Sequence, residues 1–506
     1  MSLPNILFVY GQGGLGRALP GQDHVSGIMF TNSSLPSGFS SSNRINKIFS
    51  VQDAVALGID NLYSDETKST ATVTVTNKGV AGDVVTLKYT DYAGVVVTLC
   101  SYTLVTADIT STTTSATAIK NAINLNTNVH GFTANSSSAV VTITCKVGEG
   151  IYPNSGTPYA LTLSSGATFA ATLVQNVVAG VASKRAVESY HVSEFFRIQP
   201  KGVLYVAYYD TYSASNLELI RDYADGKIGQ MGVMNDLSTS FATSQVTALQ
   251  TVATSSQALY KPFSILYAPE ISGTSTLTSL SDLTGLASKN VSVVISQDGN
   301  AKGYKLYKTV GKSISDLGAK LGAVAYSKVN ESIAWVGNLN MSDTTELDVV
   351  AFSNGVIYNS TTQSTLDVIS GYGYVFLRKL VGIAGSYNTP AYTCTLPSSD
   401  YHFVQNNRTI DKATRVVRTS LLPELSSPIA LNSDGTMKDT TVAFLESQAG
   451  LNLAQMVRDG ELSAYEVTIN PSQNVLTSNT LVVAIQLLPI GVADFITVNI
   501  GFTTSL

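Results

Sequence analysis

Side chains that could do chemistry are sparse in this chain, and positive charge gathers on one regular stretch, residues 406–425 (NNRTIDKATRVVRTSLLPEL). On a 3.6-residue period Ile410, Ala413, Val417 and Leu421 share one face, while Lys412, Arg415 and Arg418 lie on the other. The spacing predicts an amphipathic helix with a basic outer face. Asn407 or Thr409 would cap its start, Asp411 suits the positive end of its dipole, and Pro423 stops it. A basic face can hold an acidic partner. With a net charge of −5, one local acidic partner fits better than general nucleic-acid binding.

Other candidate chemistry stands alone. GQGGLG, with Gly11, Gly13, Gly14 and Gly16, matches GxGxxG after a short apolar stretch, Ile6 to Tyr10, but Pro20 and Gly21 follow where a phosphate-binding helix should open. A glycine hinge between an end strand and the body is the better reading. Asp210, Glu270 and Asp298 end apolar strands, where ligands often bind to parallel sheets, yet no nucleophile and base accompany them. His191 and His402 are solitary, and there is no GxSxG, HExxH or GxxxxGK[ST]. Cys100, Cys145 and Cys394 support neither a disulfide framework nor a zinc site. The expectation is a protein that is not an enzyme and uses no cofactor and no metal.

The elements that would position these residues fall into distinct regions. Charged residues are 13% of the chain, against a typical share of roughly 25%. So few charges predict extensive β-structure or large subunit interfaces. The start, MSLPNILFVY, has no basic residue ahead of its apolar run and does not read as a secretory signal; the apolar run 481–492 is too short and too interrupted to span a bilayer. Residues 67–181 are rich in Thr, Val and Ser and alternate at period two (TATVTVT, DVVTLKYT, AVVTITCKV), with one helix at 115–125. They predict an inserted, sandwich-like β-domain on the outer surface. Residues 184–405 alternate strands (VLYVAYYD, IGQMGVMN, FSILYAPE, VSVVISQD, ESIAWVGN) with helices (SNLELIRDYADG, SQVTALQTVATSSQAL, LTSLSDLTGLA, SISDLGAKLGAVAYSK), which implies a mainly parallel α/β sheet. A strand then crosses Arg378 and Lys379, residues 440–458 form a second helix breakable at Gly450, and AYEVTIN, TLVVAIQLLPI and DFITVNIGFTT are strands. Terminal strands without local partners invite pairing with another chain.

Taken in order, GGLGRALPGQDHVSGIMF, SKVNESIAWVGN, GYGYVFLRKLVGIAGSY, DYHFVQNNRTIDKATRVVRTSLLPELSSPI and LLPIGVADFITVNIGF resemble the sheath protein of contractile phage tails, of the type found with Bacteroidetes phages, and of related contractile injection systems. The resemblance covers nearly the whole chain outside residues 67–181. It implies a mixed α/β fold: an N-terminal arm with its glycine hinge (1–20), a sheath body (21–66 and 182–405) interrupted by the outer β-domain (67–181), a C-terminal sheath domain (406–492) and a C-terminal arm strand (493–506). Subunits of such sheaths form stacked rings or a helix, usually sixfold, around an inner tail tube. They exchange terminal strands, here Ile6, Phe8 and Tyr10 with Phe495, Val498, Ile500 and Phe502, and contract to drive the tube through a target cell envelope. Baseplate and tail terminator proteins would be further partners. Assembly would take place in the cytoplasm of a host bacterium, into a virion or a comparable injection device, without nucleic acid or membrane insertion. Arg408, Lys412, Arg415 and Arg418 then become candidate contacts to the tube, with pairing to Asp and Glu of the same or a neighbouring sheath subunit as the alternative. The alternative from another class is a virion surface adhesin or glycan binder built on the Thr-rich domain and the 25 tyrosines.

Overall fold

The computed structural model describes residues 22–234, 237–498 and 500–502. Among them, seven strands form a central sheet in the order Tyr374–Val375, Val291–Val294, Ser264–Ala268, Gln230–Met234, Val25–Thr31, Val203–Tyr209 and Ile45–Ile48. Neighbours run parallel except at one edge, where Ile45–Ile48 lies antiparallel to Val203–Tyr209. The alternation of strands and helices thus produces the mixed, mainly parallel α/β body that it predicts. The strand at the middle, Val25–Thr31, was not among the predicted ones. All seven of its residues are buried, because both faces of a parallel sheet are covered, so VSGIMFT shows no period-two signal.

Alternate residues of each strand feed two cores. Ile28, Phe30, Leu204, Val206 and Leu266 pack under the helices Lys184–Ile198 and Leu317–Tyr326. Met29, Ala207, Met231, Val233 and Ile265 pack under Asn216–Tyr223, Thr243–Ala258 and Gln363–Gly371. Glycine brings the first two helices together: a Cβ at Gly322 would lie 2.8 Å from the Phe195 carbonyl oxygen, and one at Gly318 would overlap the backbone of His191.

Two predicted elements of the body do not form. LTSLSDLTGLA is not a helix but two 3₁₀ turns, Leu277–Ser279 and Thr284–Leu286, with Leu277 and Leu283 in the core. ESIAWVGN is not a strand; it folds as successive turns, with Trp335 N–H donating to Ser332 O and Asn338 N–H to Trp335 O, both at 3.1 Å. Conversely, the helix Lys302–Val310 was not predicted.

Residues 67–181 contain two antiparallel sheets, one of Thr133–Ser137, Val140–Thr144, Thr70–Lys78 and Phe169–Val178, the other of Val96–Thr103, Val84–Thr90 and Tyr159–Leu163. They share one core with the helix Thr112–Leu125, which Ser111 caps by accepting Thr114 N–H at 3.1 Å and which buries Ala116, Ile119 and Ile123. An antiparallel bridge between Thr67 and Val181 draws together the two segments that join this region to the body.

The C-terminal region packs the helices Val404–Leu421 and Asp439–Arg458 against a hairpin of Ala464–Thr468 and Ala484–Leu488. The second helix runs unbroken through Gly450, which accommodates the Tyr465 ring above it. The expected strand across Phe495, Val498, Ile500 and Phe502 does not form within the single chain: among the described residues after Pro489 there is none. A ladder needs a second strand, and the single chain offers none there. Ile6, Phe8 and Tyr10 of the expected N-terminal strand, and the hinge Gly11, Gly13, Gly14 and Gly16, lie outside the described residues.

Candidate functional site

The basic helix begins earlier than predicted, at Val404 after Phe403. Asn407 and Thr409 do not cap it: they sit one turn inside, where Asn407 Nδ2 donates to Tyr401 O at 2.9 Å and Thr409 Oγ1 to Gln405 O at 2.9 Å. The last turn passes into a 3₁₀ turn, Leu422–Glu424, that contains Pro423.

Its basic face is not the outer face. Arg408 is buried and donates to Ser327 O at 3.2 Å, Lys328 O at 3.1 Å and Asp23 O at 3.2 Å. Lys412 Nζ bridges Asp23 Oδ2 and Glu461 Oε1, each at 2.6 Å. Arg415 donates to Ile228 O at 2.7 Å and also to Pro262 O. Arg418, the most exposed, lies 4.1 Å from the centre of the Tyr260 ring. Asp23, Ile228 and Pro262 each stand just before a strand of the central sheet. The helix therefore crosses the amino-terminal edge of the parallel strands and supplies donors to carbonyls that the ladder leaves over. The expectation of a free basic surface is corrected on this ground for Arg408, Lys412 and Arg415, whereas Arg418 is exposed and borders the open groove beside Tyr260. Main-chain acceptors, the part-exposed Asp23 carboxylate and the buried Glu461 carboxylate of the same chain draw these three cations inward.

Burial and charge shape the titration of this face. Burial lowers Arg408 to about 10 although Asp23 and Glu461 oppose it, and lowers Arg415 against the pull of Asp411. It also pushes the Asp411 carboxyl up to about 6 against the attraction of Arg415. At Lys412 burial acts downward, but the two carboxylates outweigh it and raise the ammonium; at Glu461 burial wins over Lys412 and raises the acid. These groups behave as an internal clamp between the α/β body and the C-terminal region.

The apolar face is the open one. Ile410, Ala413, Val417 and Leu421, with Leu422, Leu425, Ile485 and Leu487, line a groove of about 520 Å³. Leu421 and Leu425 continue into a second trough of about 720 Å³ with Ile429, Leu445, Val475 and Leu481. Beside them the hairpin has two strands, and neither outer edge is paired among the described residues. Beyond it Phe495 and Ile500 are each 94% exposed, and Ile496, Val498 and Phe502 are likewise exposed.

The strand-end acids converge on no common site. Asp210 forms a two-pronged pair with Arg44 at 2.9 and 2.8 Å. Glu270 accepts Ser313 N–H at 2.8 Å, and Asp298 accepts Leu347 N–H at 3.0 Å and Tyr304 N–H at 3.1 Å, so both tie loops to the sheet. His191 is buried and accepts Gly318 N–H at 3.3 Å; burial lowers it to about 4. His402 contacts Thr395 O at 3.2 Å. Arg378 and Lys379 lie on a short hairpin strand, with Lys379 held by Asp348 at 3.3 Å. The three cysteines are free and buried. Among the described residues no cluster of His, Cys, Asp and Glu has the geometry to hold a metal ion, and no helix is long and apolar enough to cross a membrane.

The family model described as DUF2586, N-terminal domain, matches residues 50–391, and that described as DUF2586, C-terminal domain, matches residues 400–506. The chain belongs to the DUF2586 family. In this DUF2586 chain the gap between the two matches falls just before the basic helix, so the clamp residues Asp23, Ile228 and Pro262 on one side and Lys412, Arg415 and Glu461 on the other join the body to the family's C-terminal domain. No curated protein matches the chain. Among solved structures, a chain of the anti-feeding prophage (AFP) baseplate is similar at 14% identity and a TM-score of 0.44, over 65% of this chain and 85% of that one. A chain of the PVC sheath complex of an extracellular contractile injection system, in the contracted state, is similar at 16% identity and a TM-score of 0.41, over 63% and 80%.

Sequence reasoning missed Asp23, Glu461 and Tyr260, the partners that turn the basic face inward. The available signal was the acid count, 35 Asp and Glu against 30 Lys and Arg, which is enough to match a basic face within the chain. It does not say where in space the acids stand.

Proposed function

We propose that this DUF2586 chain is a structural subunit that polymerises into the sheath of a contractile tail or injection device, around an inner tube. The observation that carries this reading is the C-terminal surface: an unpaired two-stranded hairpin, an apolar trough beside it, and a terminal run of exposed Phe, Ile and Val. An extended segment from a neighbouring copy, laid along a hairpin edge, satisfies main-chain donors and acceptors and buries apolar side chains in one step. The resemblance of the terminal stretches to sheath proteins supplies the direction of the proposal. Within it, baseplate and terminator proteins cap the polymer, and force comes from rearranging subunit contacts, with no catalysis and no cofactor.

The basic helix has a different part in this reading from the one first expected. It holds the C-terminal domain on the body so that a pull on the terminal strands is transmitted to the α/β core. Electron microscopy of the purified full chain tests the proposal. Tubes or stacked rings are expected; a monomer that persists at high concentration overturns it. The adhesin alternative makes a separate prediction, that residues 67–181 alone bind cells or sugars.

A further inference from the structure

Beneath the central sheet a lysine, an asparagine and an aspartate meet with no exposure to solvent. Lys320 and Asp316 are each 0% exposed, and Asn388 is fully buried as well. Asp316 stands at the start of the helix Leu317–Tyr326 and Lys320 follows one turn later, so both project from the same side. Asn388 ends the strand Ile383–Asn388, 68 residues further along the chain. Lys320 Nζ contacts Asn388 Oδ1 directly and lies 3.3 Å from Asp316 Oδ2. Ser296 Oγ donates to Asp316 Oδ2 at 2.9 Å, and Asn388 Nδ2 donates to Ile333 O at 3.2 Å, which fixes the rotamers of both. Asp316 Oδ1 has no hydrogen-bond partner among the described residues.

As a plain ion pair this arrangement is poor. Removing two charges from water costs several kcal/mol per ion, recovered only when every remaining polar atom is satisfied. With Lys320 Nζ against the Asn388 carboxamide and Asp316 beside the same Nζ, the groups suit a different chemistry. Amide exchange between an amine and a carboxamide needs an uncharged amine, a carboxyl able to carry a proton between the two nitrogens, and exclusion of water. Burial pushes towards those forms, lowering the Lys320 ammonium and raising the Asp316 carboxyl against their mutual attraction. The Leu317, Leu321, Val375 and Leu377 side chains belong to the apolar core around the site and keep water out.

We propose that Lys320 and Asn388 become joined by an intramolecular isopeptide bond, formed by the chain itself with Asp316 transferring the proton. The lone pair of neutral Lys320 Nζ attacks Asn388 Cγ and forms the new C–N bond. Asp316 relays a proton from Nζ to Nδ2; the Cγ–Nδ2 bond then breaks with its electron pair, and nitrogen leaves as ammonia. Amine plus primary amide thus yield secondary amide plus ammonia, with no oxidant or reductant. The bond ties the buried helix to the last strand before the basic helix. A pull arriving through the C-terminal domain therefore meets a covalent link inside the body. This inference does not rest on the polymer reading, and either can fail without the other.

Mass spectrometry of the full-length chain, denatured before measurement, tests it. The expected mass is one ammonia below that of the sequence, with resistance to trypsin after Lys320 and a single branched peptide carrying both Lys320 and Asn388. The full sequence mass, with cleavage after Lys320, overturns the proposal; so does loss of ammonia with the two peptides unlinked. Lys320→Met should restore the mass computed for that variant. Asp316→Asn should take the linked fraction from nearly complete to undetectable, and a fully linked Asp316→Asn chain would overturn the role of the carboxyl. The native-chain measurement stands whether or not either variant folds.

Discussion

The two sides of the helix Val404–Leu421 have opposite fates. On the basic side every named cation has found a partner in its own chain: Arg408 three carbonyls, Lys412 two carboxylates, Arg415 two carbonyls, and Arg418 an aromatic ring. On the apolar side Ile410, Val417 and Leu421 line a groove that the chain leaves partly open, next to an unpaired hairpin and an exposed apolar tail. Intuition expects charge to face outward and oil inward. Main-chain acceptors at a sheet edge thus capture arginines, while apolar surface on the opposite side stays partly open.

The largest expected effect tests the open side. Replacing Phe495, Ile500 and Phe502 together by Ser should abolish polymer formation in sedimentation and electron microscopy, with an unchanged circular dichroism spectrum, because these side chains contact little of their own subunit. Assembly that survives would end the assignment of this surface. On the closed side, the Asp411 carboxyl is raised from 3.8 to about 6, chiefly by burial. The folded chain holds that proton more tightly than the unfolded chain, so this contribution is complete below about pH 4 and is lost as pH rises through about 6. Asp411→Asn should gain on the native chain by at most about 3 kcal/mol between about pH 4 and about pH 7, measured by denaturant unfolding. A difference that stays flat with pH would show that Asp411 is not a buried, reluctant acid.

Lys412→Ala leaves Asp23 and Glu461 facing each other without their cation. The lysine side chain is 23% exposed and Glu461 only 7%, so the loss should fall between that of surface and buried pairs, about 2 kcal/mol. Charge reversal at Lys412 and Arg415 should for the same reason damage the fold before any assembly step, visible as a lower melting temperature of the unassembled chain. The smallest change is expected for Arg418→Ala, about 0.5–1 kcal/mol, since only its stacking on Tyr260 is lost. A defect in assembly with normal stability would show that Arg418, which borders the open groove, serves that side of the comparison.

Much of the architecture was legible because it is written in local periodicity. Period-two alternation marks Thr70–Lys78, Val84–Thr90 and Val140–Thr144, each with one face in the core of residues 67–181 and the other turned away. Helical spacing marks Thr243–Ala258, Asp439–Arg458 and the basic helix to within a few residues. Strands buried on both faces, such as Gln230–Met234 and Ser264–Ala268, show instead as apolar runs, and in Val25–Thr31 Ser26 and Gly27 interrupt that run. Apolar residues that fill a core from turns mimic periodic elements, as in LTSLSDLTGLA and ESIAWVGN.

By itself, then, the sequence determined the mixed α/β class, the β-rich region between residues 67 and 181, and an amphipathic helix carrying Arg408, Lys412, Arg415 and Arg418. The direction in which that helix faces was decided only by tertiary structure, because Asp23, Ile228, Pro262 and Glu461 come from four separate stretches that meet at one edge of the sheet. The same holds for the meeting of Lys320, Asp316 and Asn388. Periodicity records which side of an element is apolar; only the packing of distant segments determines what that side, or its opposite, touches.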